Sequence, residues 1–256
     1  MTDFDDKKRG FKEWYALHHS TILSAERSFR NLVVNLLDRE QTLPHAKVVS
    51  RVKNRDECIK KFERKYRTEL EKAEHDYEIV DHISDLIGIR IVCLYESNVN
   101  QIVSILRHNF DVISEDDKMS KLEGGIGKLG YRGYHLDLRL TEDRAKLPEY
   151  EFLAGFQFEV QVKTIAQDAW SEVDHHIRYK KDLPFDLQQE ILKLSGLFDT
   201  ADSMFDKIRQ DIQTYEAKIK GQSEAQSDVP LTAFNFLMVA KGYWERYPFE
   251  EQKVEG

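Results

Sequence analysis

Apolar side chains recur at helical spacing from Phe11 to Leu37, through Trp14, Leu17, Ile22, Leu23, Phe29, Leu32, Val33 and Leu36, and predict a long helix over residues 11–39. Thr42, Leu43 and Pro44 end it. His45 to Val52 is short and β-branched, which predicts a strand leading into a charged helix from Arg55 to Lys72. That helix sets Ile59 and Phe62 against many charges, the pattern of a half-solvated surface helix. Ile83 to Tyr95, ISDLIGIRIVCLY, carries a β-branched run after a single glycine and predicts a buried strand. Residues 97–109 follow as an amphipathic helix through Val99, Ile102, Ile105 and Leu106, and Phe110 to Ile113 as a further strand.

Residues 114–130 are rich in charge and glycine and are expected to form a loop long enough to suggest binding. Tyr131 to Leu140 and Phe156 to Val162 alternate as strands, and Thr164 opens a helix to Lys180 as its cap. On that helix Trp170, Val173 and Ile177 are expected in the core. Residues 185–220 form a long helical run with Leu187, Ile191, Leu192, Leu194, Phe198 and Phe205. A small polar linker, GQSEAQSDVP, precedes a last helix over 231–246. Helices thus bracket a central α+β block. The expected division is a helical extension over 1–44, a catalytic domain over 45–182, a helix over 183–221, and a linker with terminal helix over 222–256.

Length and composition narrow the class. With 256 residues, 41% hydrophobic and 33% charged, the chain can bury a real core, and disorder is disfavoured. No stretch approaches the length of a membrane helix and the N-terminus lacks a secretory pattern, so a soluble, cytoplasmic protein is expected. Lys and Arg number 38 against 46 Asp and Glu, a formal charge of −8 that disfavours non-specific nucleic-acid binding but permits a local basic pocket. Cys58 and Cys93 match no metal-ligand spacing and read as reduced core thiols.

The candidate chemistry lies in the central block. Arg51 and Lys53 alternate onto one side of an extended segment, and Lys61 on the next helix can converge with them on a polyphosphate. Asp85 stands at the mouth of a buried strand, a position suited to Mg²⁺ or simply to capping a turn. Arg90 interrupts the apolar run Ile89, Ile91, Val92 and needs a partner or a ligand. In Gly130-Tyr131-Arg132-Gly133-Tyr134-His135, Tyr131 and His135 share a face, where an aromatic beside basic groups can stack on a base. Glu159, Gln161 and Lys163 alternate with Phe158, Val160 and Val162, which gives the sheet one apolar and one functional face. His175 and His176 suggest zinc, without a second ligand motif.

In order and spacing, R-V-K, D-L-I-G-I-R, G-Y-R-G-Y-H and E-V-Q-V-K-T followed by W-S-E-V-D-H-H-I-R-Y-K resemble the synthetase domain of the RelA/SpoT family over residues 45–182. The resemblance implies a nucleotidyltransferase-like mixed sheet and a small alarmone synthetase making (p)ppGpp, without the hydrolase half of long members. Asp85 and Glu159 would be the catalytic carboxylates holding Mg²⁺, Glu159 also a candidate base. Arg51, Lys53, Lys61 and Arg90 would bind ATP. Tyr131 would stack on the guanine of GDP or GTP, with His135, Lys128, Gln161 and Lys163 on the acceptor side. The acceptor 3′-hydroxyl would attack the β-phosphorus of ATP, releasing AMP. Departures are Leu129 and Gly133 where Asn and Ser are common, Lys163 where Arg is usual, and Cys58 where Ser is common. Two alternatives stay open: a toxic branch acting on a tRNA end or an adenosine nucleotide, and an inactive nucleotide sensor. A homo-oligomer, with a tetramer possible, is expected, with no membrane partner and no nucleic acid in the leading reading.

Overall fold

The computed structural model describes residues 4–40, 43, 46–73, 76–117, 133–178, 184–224, 232, 233, 236, 237 and 240. Two compact units, residues 1–202 and 203–256, divide the chain. The first opens with α1, Phe4–Asp38, and places Ile22, Phe29 and Val33 of its apolar stripe in the core. Strand β1, Lys47–Val52, leads into α2, Arg55–Phe62, a π-helical turn at Glu63–Arg67 and α3, Thr68–Lys72. The charged helix expected without interruption is therefore broken by a widened turn, beside which the rings of Phe62, Tyr66, Tyr77 and His82 cluster.

Strand β2 is Ile87–Cys93, α4 is Glu96–Asn109, β3 is Asp111–Asp117 and β4 is Tyr134–Arg139. A short helix α5, Glu142–Ala145, precedes β5, Gln157–Thr164, and α6, Ile165–Arg178. Two expectations change here. The run 83–86 precedes the strand, next to a 3-10 turn at Ile79–His82. Residues 114–117, expected in a loop, extend β3, because Asp116 and Asp117 pair with His135 and Tyr134. Charge is no obstacle at a sheet edge, where it discourages pairing with other chains.

The strands form one mixed five-stranded sheet in the order β1-β2-β5-β4-β3. Only β2 and β5 run parallel; the other neighbours are antiparallel. A parallel pair needs a long crossover, and α4, β3 and β4 all lie within it. Register follows the alternation of apolar and polar residues. Ile87, Ile89, Ile91, Leu136, Leu138, Phe158, Val160 and Val162 are buried on one face. There Phe158 stacks on Phe29 of α1 at 4.3 Å between centroids and meets Phe110 edge-on at 5.3 Å. Val99, Ile102 and Leu106 of α4 complete this layer.

The opposite face aligns Arg51, Gly88, Glu159 and Asp137 in one cross-strand row, and Val49, Arg90, Gln161 and His135 in the next. Helix α6 lies against β2 and β5, and a capping box sets its start. Gln167 N–H donates to Thr164 Oγ1 and Thr164 N–H to Gln167 Oε1, both at 3.1 Å. Asp202 Oδ2 accepts from Thr164 Oγ1 at 2.7 Å and from Gln167 Nε2 at 3.2 Å, fixing this corner. The buried stripe of α6 is Ala166, Gln167, Trp170, Ser171 and Asp174, while Val173 is 39% exposed. The expected apolar stripe is thus partly replaced by polar residues, because the helix covers a polar face. Asp202 lies on α7, Phe185–Glu224, which runs into the second unit. Most of the predicted last helix lies outside the described residues. Cys58 and Cys93 are free and buried, and burial pushes both thiols up to about 12. No helix among the described residues is long and apolar enough to cross a membrane.

Candidate active site

The β1–β2 ladder continues one step past its last pair, with Lys53 N–H donating to Leu86 O at 2.9 Å. This brings Lys53 beside Asp85, just before β2. Asn54 then caps α2 by accepting from Asp56 N–H, and Lys61 returns to the same carboxylate one helix length later. Lys53 Nζ lies 2.5 Å from Asp85 Oδ2 and Lys61 Nζ 2.8 Å from Oδ1, so each oxygen faces its own ammonium group. Burial alone pushes the Asp85 carboxyl up, but the two lysines outweigh it and hold the group below the usual carboxylate range.

Glu159, third residue of β5, pairs in register with Gly88. Its Oε1 lies 3.3 Å from His135 Nδ1, and its Oε2 accepts from Gln161 Nε2 at 3.0 Å. Burial raises this carboxyl, yet His135, Gln161 and the charge of Lys61 lower it to about 2. Both carboxylates are therefore ionised at neutral pH, and so acidic a Glu159 has little tendency to collect a proton.

Asp85 and Glu159 open into one cleft of about 180 Å³, lined also by Val49, Ser50, Arg51, Gly88, Ile89, Arg90 and Gln161. Arg51 is exposed at its edge and pairs with Gly88, where an added Cβ would lie 3.8 Å from the Arg51 Cγ. Arg90 Nη1 donates to Asp168 Oδ1 at 3.1 Å and to Glu172 Oε1 at 2.6 Å, so the charge set in the apolar strand has its partners on α6. Ser50, also at the cleft, donates to the Glu26 carboxylate of α1.

The fold brings together Arg51, Asp85, Arg90, Glu159 and Gln161, with Lys53, Lys61 and His135 bonded to the two carboxylates. It separates Lys163, which is 1% exposed and donates to Ser171 Oγ at 3.0 Å beneath α6. Tyr131 and Lys128 lie outside the described residues. Asp168 went unrecognised in the sequence, and Glu172 had no assigned role. Their spacing of four on a helix, facing a lone strand arginine, is the signal that identifies them. No group of three or more His, Cys, Asp or Glu side chains suited to a metal gathers among the described residues, so the zinc reading of His175 and His176 gains no further ligand. Two ionised carboxylates in one cleft do suit a hard divalent cation that draws its other ligands from phosphate.

The chain is similar to GTP pyrophosphokinase YwaC of Bacillus subtilis, at 27% identity over 83% of this chain and 98% of that protein. It is also 22% identical to GTP pyrophosphokinase YjbM of the same organism over 54% of this chain and 63% of that one. Among solved structures, small alarmone synthetase 1 from B. subtilis superposes with a TM-score of 0.61 at 18% identity, covering 79% of this chain and 99% of that one. A GTP pyrophosphokinase family protein from Streptococcus pneumoniae gives 0.59 at 22% identity, covering 79% and 96%. These likenesses establish the mixed sheet with flanking helices as the fold. The region found in RelA/SpoT proteins matches residues 50–183, enclosing both carboxylates, their lysines and the arginines of the cleft: the chain belongs to the RelA/SpoT family.

Proposed function

We propose that this chain is an ATP-dependent pyrophosphokinase that transfers the β,γ-pyrophosphate of ATP to the 3′-hydroxyl of GDP or GTP, yielding ppGpp or pppGpp and AMP. The observation that carries this reading is the convergence of Arg51, Asp85, Arg90, Glu159 and Gln161 in one cleft inside the matched family region. Arg51 and Arg90 flank the donor nucleotide. Lys53 and Lys61 offer the counter-charge for its phosphates, within reach of a cleft that already holds them against Asp85. Gln161 and His135 meet the acceptor, and Tyr131 stacks on its guanine. Lys163, bonded to Ser171 under α6, supports this side from below.

In our reading Asp85 and Glu159 hold Mg²⁺, which when bound offsets the negative charge that builds on the transferring phosphates. Glu159 acts as a fixed negative charge, because His135 and Gln161 keep it ionised far below neutral pH. The chain contributes positioning and charge compensation, the terms that dominate phosphoryl and pyrophosphoryl transfer. The protein works in the cytoplasm, as a homo-oligomer. Leu187, Leu194 and Leu197, exposed on α7, support the assembly, which sedimentation measures directly.

The test is incubation with ATP labelled in its terminal phosphates and separate acceptors: GDP, GTP, GMP, ATP and tRNA. Label is expected on GDP or GTP with stoichiometric AMP. Label on tRNA or on an adenosine nucleotide instead would sink the alarmone reading, and no transfer at all would leave a nucleotide-binding protein. Tyr131→Ala is expected to raise KM for the acceptor and spare that for ATP.

A further inference from the structure

We infer that Asp168 and Glu172 of α6 are positioning residues that pre-set the Arg90 guanidinium at the donor-nucleotide cleft from behind. The inference rests on the proposed use of ATP as donor and adds two residues to its recognition.

Arg90 is the one charged side chain in β2, between Ile89 and Ile91. Its register neighbours Val49 and Gln161 line the same cleft and offer it no counter-charge. Compensation comes from across the gap between sheet and helix. Asp168 and Glu172, one helical turn apart, both accept from the same nitrogen, Nη1, at 3.1 and 2.6 Å. Hydrogen bonds to a guanidinium lie in its plane, so this grip fixes the group at one corner and leaves its flat faces for stacking. Neither acid lines the cleft itself.

The grip is itself anchored. The capping box of Thr164 and Gln167, with Asp202 behind it, fixes the first turn of α6 immediately before Asp168. An arginine left to itself loses considerable rotamer freedom when a ligand captures it. One already held gives up less, so the donor binds more tightly than contacts alone imply.

Asp168 and Glu172 also place two negative charges near a site for a polyanion, with Lys163 as well as Arg90 acting on Glu172. That gives the test its sign. By charge alone, Asp168→Asn and Glu172→Gln relieve repulsion and tighten binding of ATP. By positioning, they release Arg90 and weaken it.

Calorimetric titration of the full chain with α,β-methylene-ATP, which lacks the cleavable bond, reads binding without turnover. Each variant is expected to weaken binding about tenfold and the pair about thirtyfold or more, at unchanged KM for the acceptor. Glu172→Asp, which keeps the charge, should recover part of the loss. In an Arg90→Ala background the Glu172→Gln change should have no further effect. Both acids are partly exposed, at 25% and 57%, and thermal melting checks that each variant folds. Unchanged or tighter binding in the single variants, or an equal loss in the Arg90→Ala background, overturns the inference. If the native chain binds the analogue but transfers nothing to any acceptor, the functional reading fails while the titrations still decide this one. If it binds no adenine nucleotide, both fall.

Discussion

The two faces of the sheet are built on opposite rules. Against α1 and α4 the face is a layer of Ile, Leu, Val and Phe, where Phe158 meets Phe29 and Phe110 and any neighbour of similar volume would serve nearly as well. Toward the cleft and α6 three buried or half-buried charges are each tied into a triad: Asp85 with two lysines, Glu159 with His135 and Gln161, Arg90 with two acids. The first face is held by area and tolerates change by degree. The second is held by specific opposite charges, so removing one member leaves others uncompensated. The contrast also shows how a chain of net charge −8 can gather cations locally: Lys53, Lys61 and Arg90 meet at this face, each partnered with acids that keep it in place.

The sharpest way to separate the faces is Asp85→Asn. It keeps the volume and the apolar layer, and is expected to lower pyrophosphate transfer by about 10³-fold or more, measured with labelled ATP and GDP. Persistent activity would remove Asp85 from the catalytic pair. The matching blow to the other face is Phe158→Ala, expected to cost about 3–4 kcal/mol in urea unfolding while leaving nucleotide affinity per folded molecule unchanged.

A smaller effect follows from acid. Glu159 titrates at about 2 in the fold against an ordinary 4.5. Its folded value is depressed, so its contribution to stability is present above pH 4.5 and is lost as pH falls toward 2. Unfolding free energy measured across that window should decline less steeply in Glu159→Gln than in the native chain. The smallest expected effect is that of Gly133→Ala. Gly133 has φ of +147°, and a Cβ there would lie 3.1 Å from Lys163 Cγ and 3.2 Å from Cε. A loss of about 1–2 kcal/mol is expected, and an unchanged urea midpoint would mean that the Lys163 stem yields easily.

The apolar face was legible in the sequence because alternation is a local property: Phe158, Val160 and Val162 announce their side of the strand without reference to any other segment. So were Arg90 as a charge interrupting an apolar strand, Asp85 as a carboxylate at a strand's mouth, and Glu159 on the polar side of its strand's alternation. Their partners were less so. Nothing near Arg90 in sequence points to Asp168 and Glu172, which reach it only after β2 and β5 pair and α6 folds back. Lys163 read as a cleft residue because strand alternation assigns a face but not the helix that covers it. Residues 114–117 read as loop because their charge outweighed their pairing, which depends on β4.

The parallel register of β2 and β5 has a consequence for how the protein comes into being. Gly88 and Glu159 are neighbours in the sheet but far apart in the chain, with α4, β3 and β4 synthesised between them. Contacts of such long sequence separation form late, after their loop-closure entropy has been met. A one-residue slip would turn Glu159 and Gln161 into the apolar layer and Val160 out of it, so misregistered intermediates are strongly disfavoured. Asp85 and Glu159 thus share a cleft only when that pairing is complete. The site is therefore assembled last, by the pairing most distant in the chain rather than by any local element.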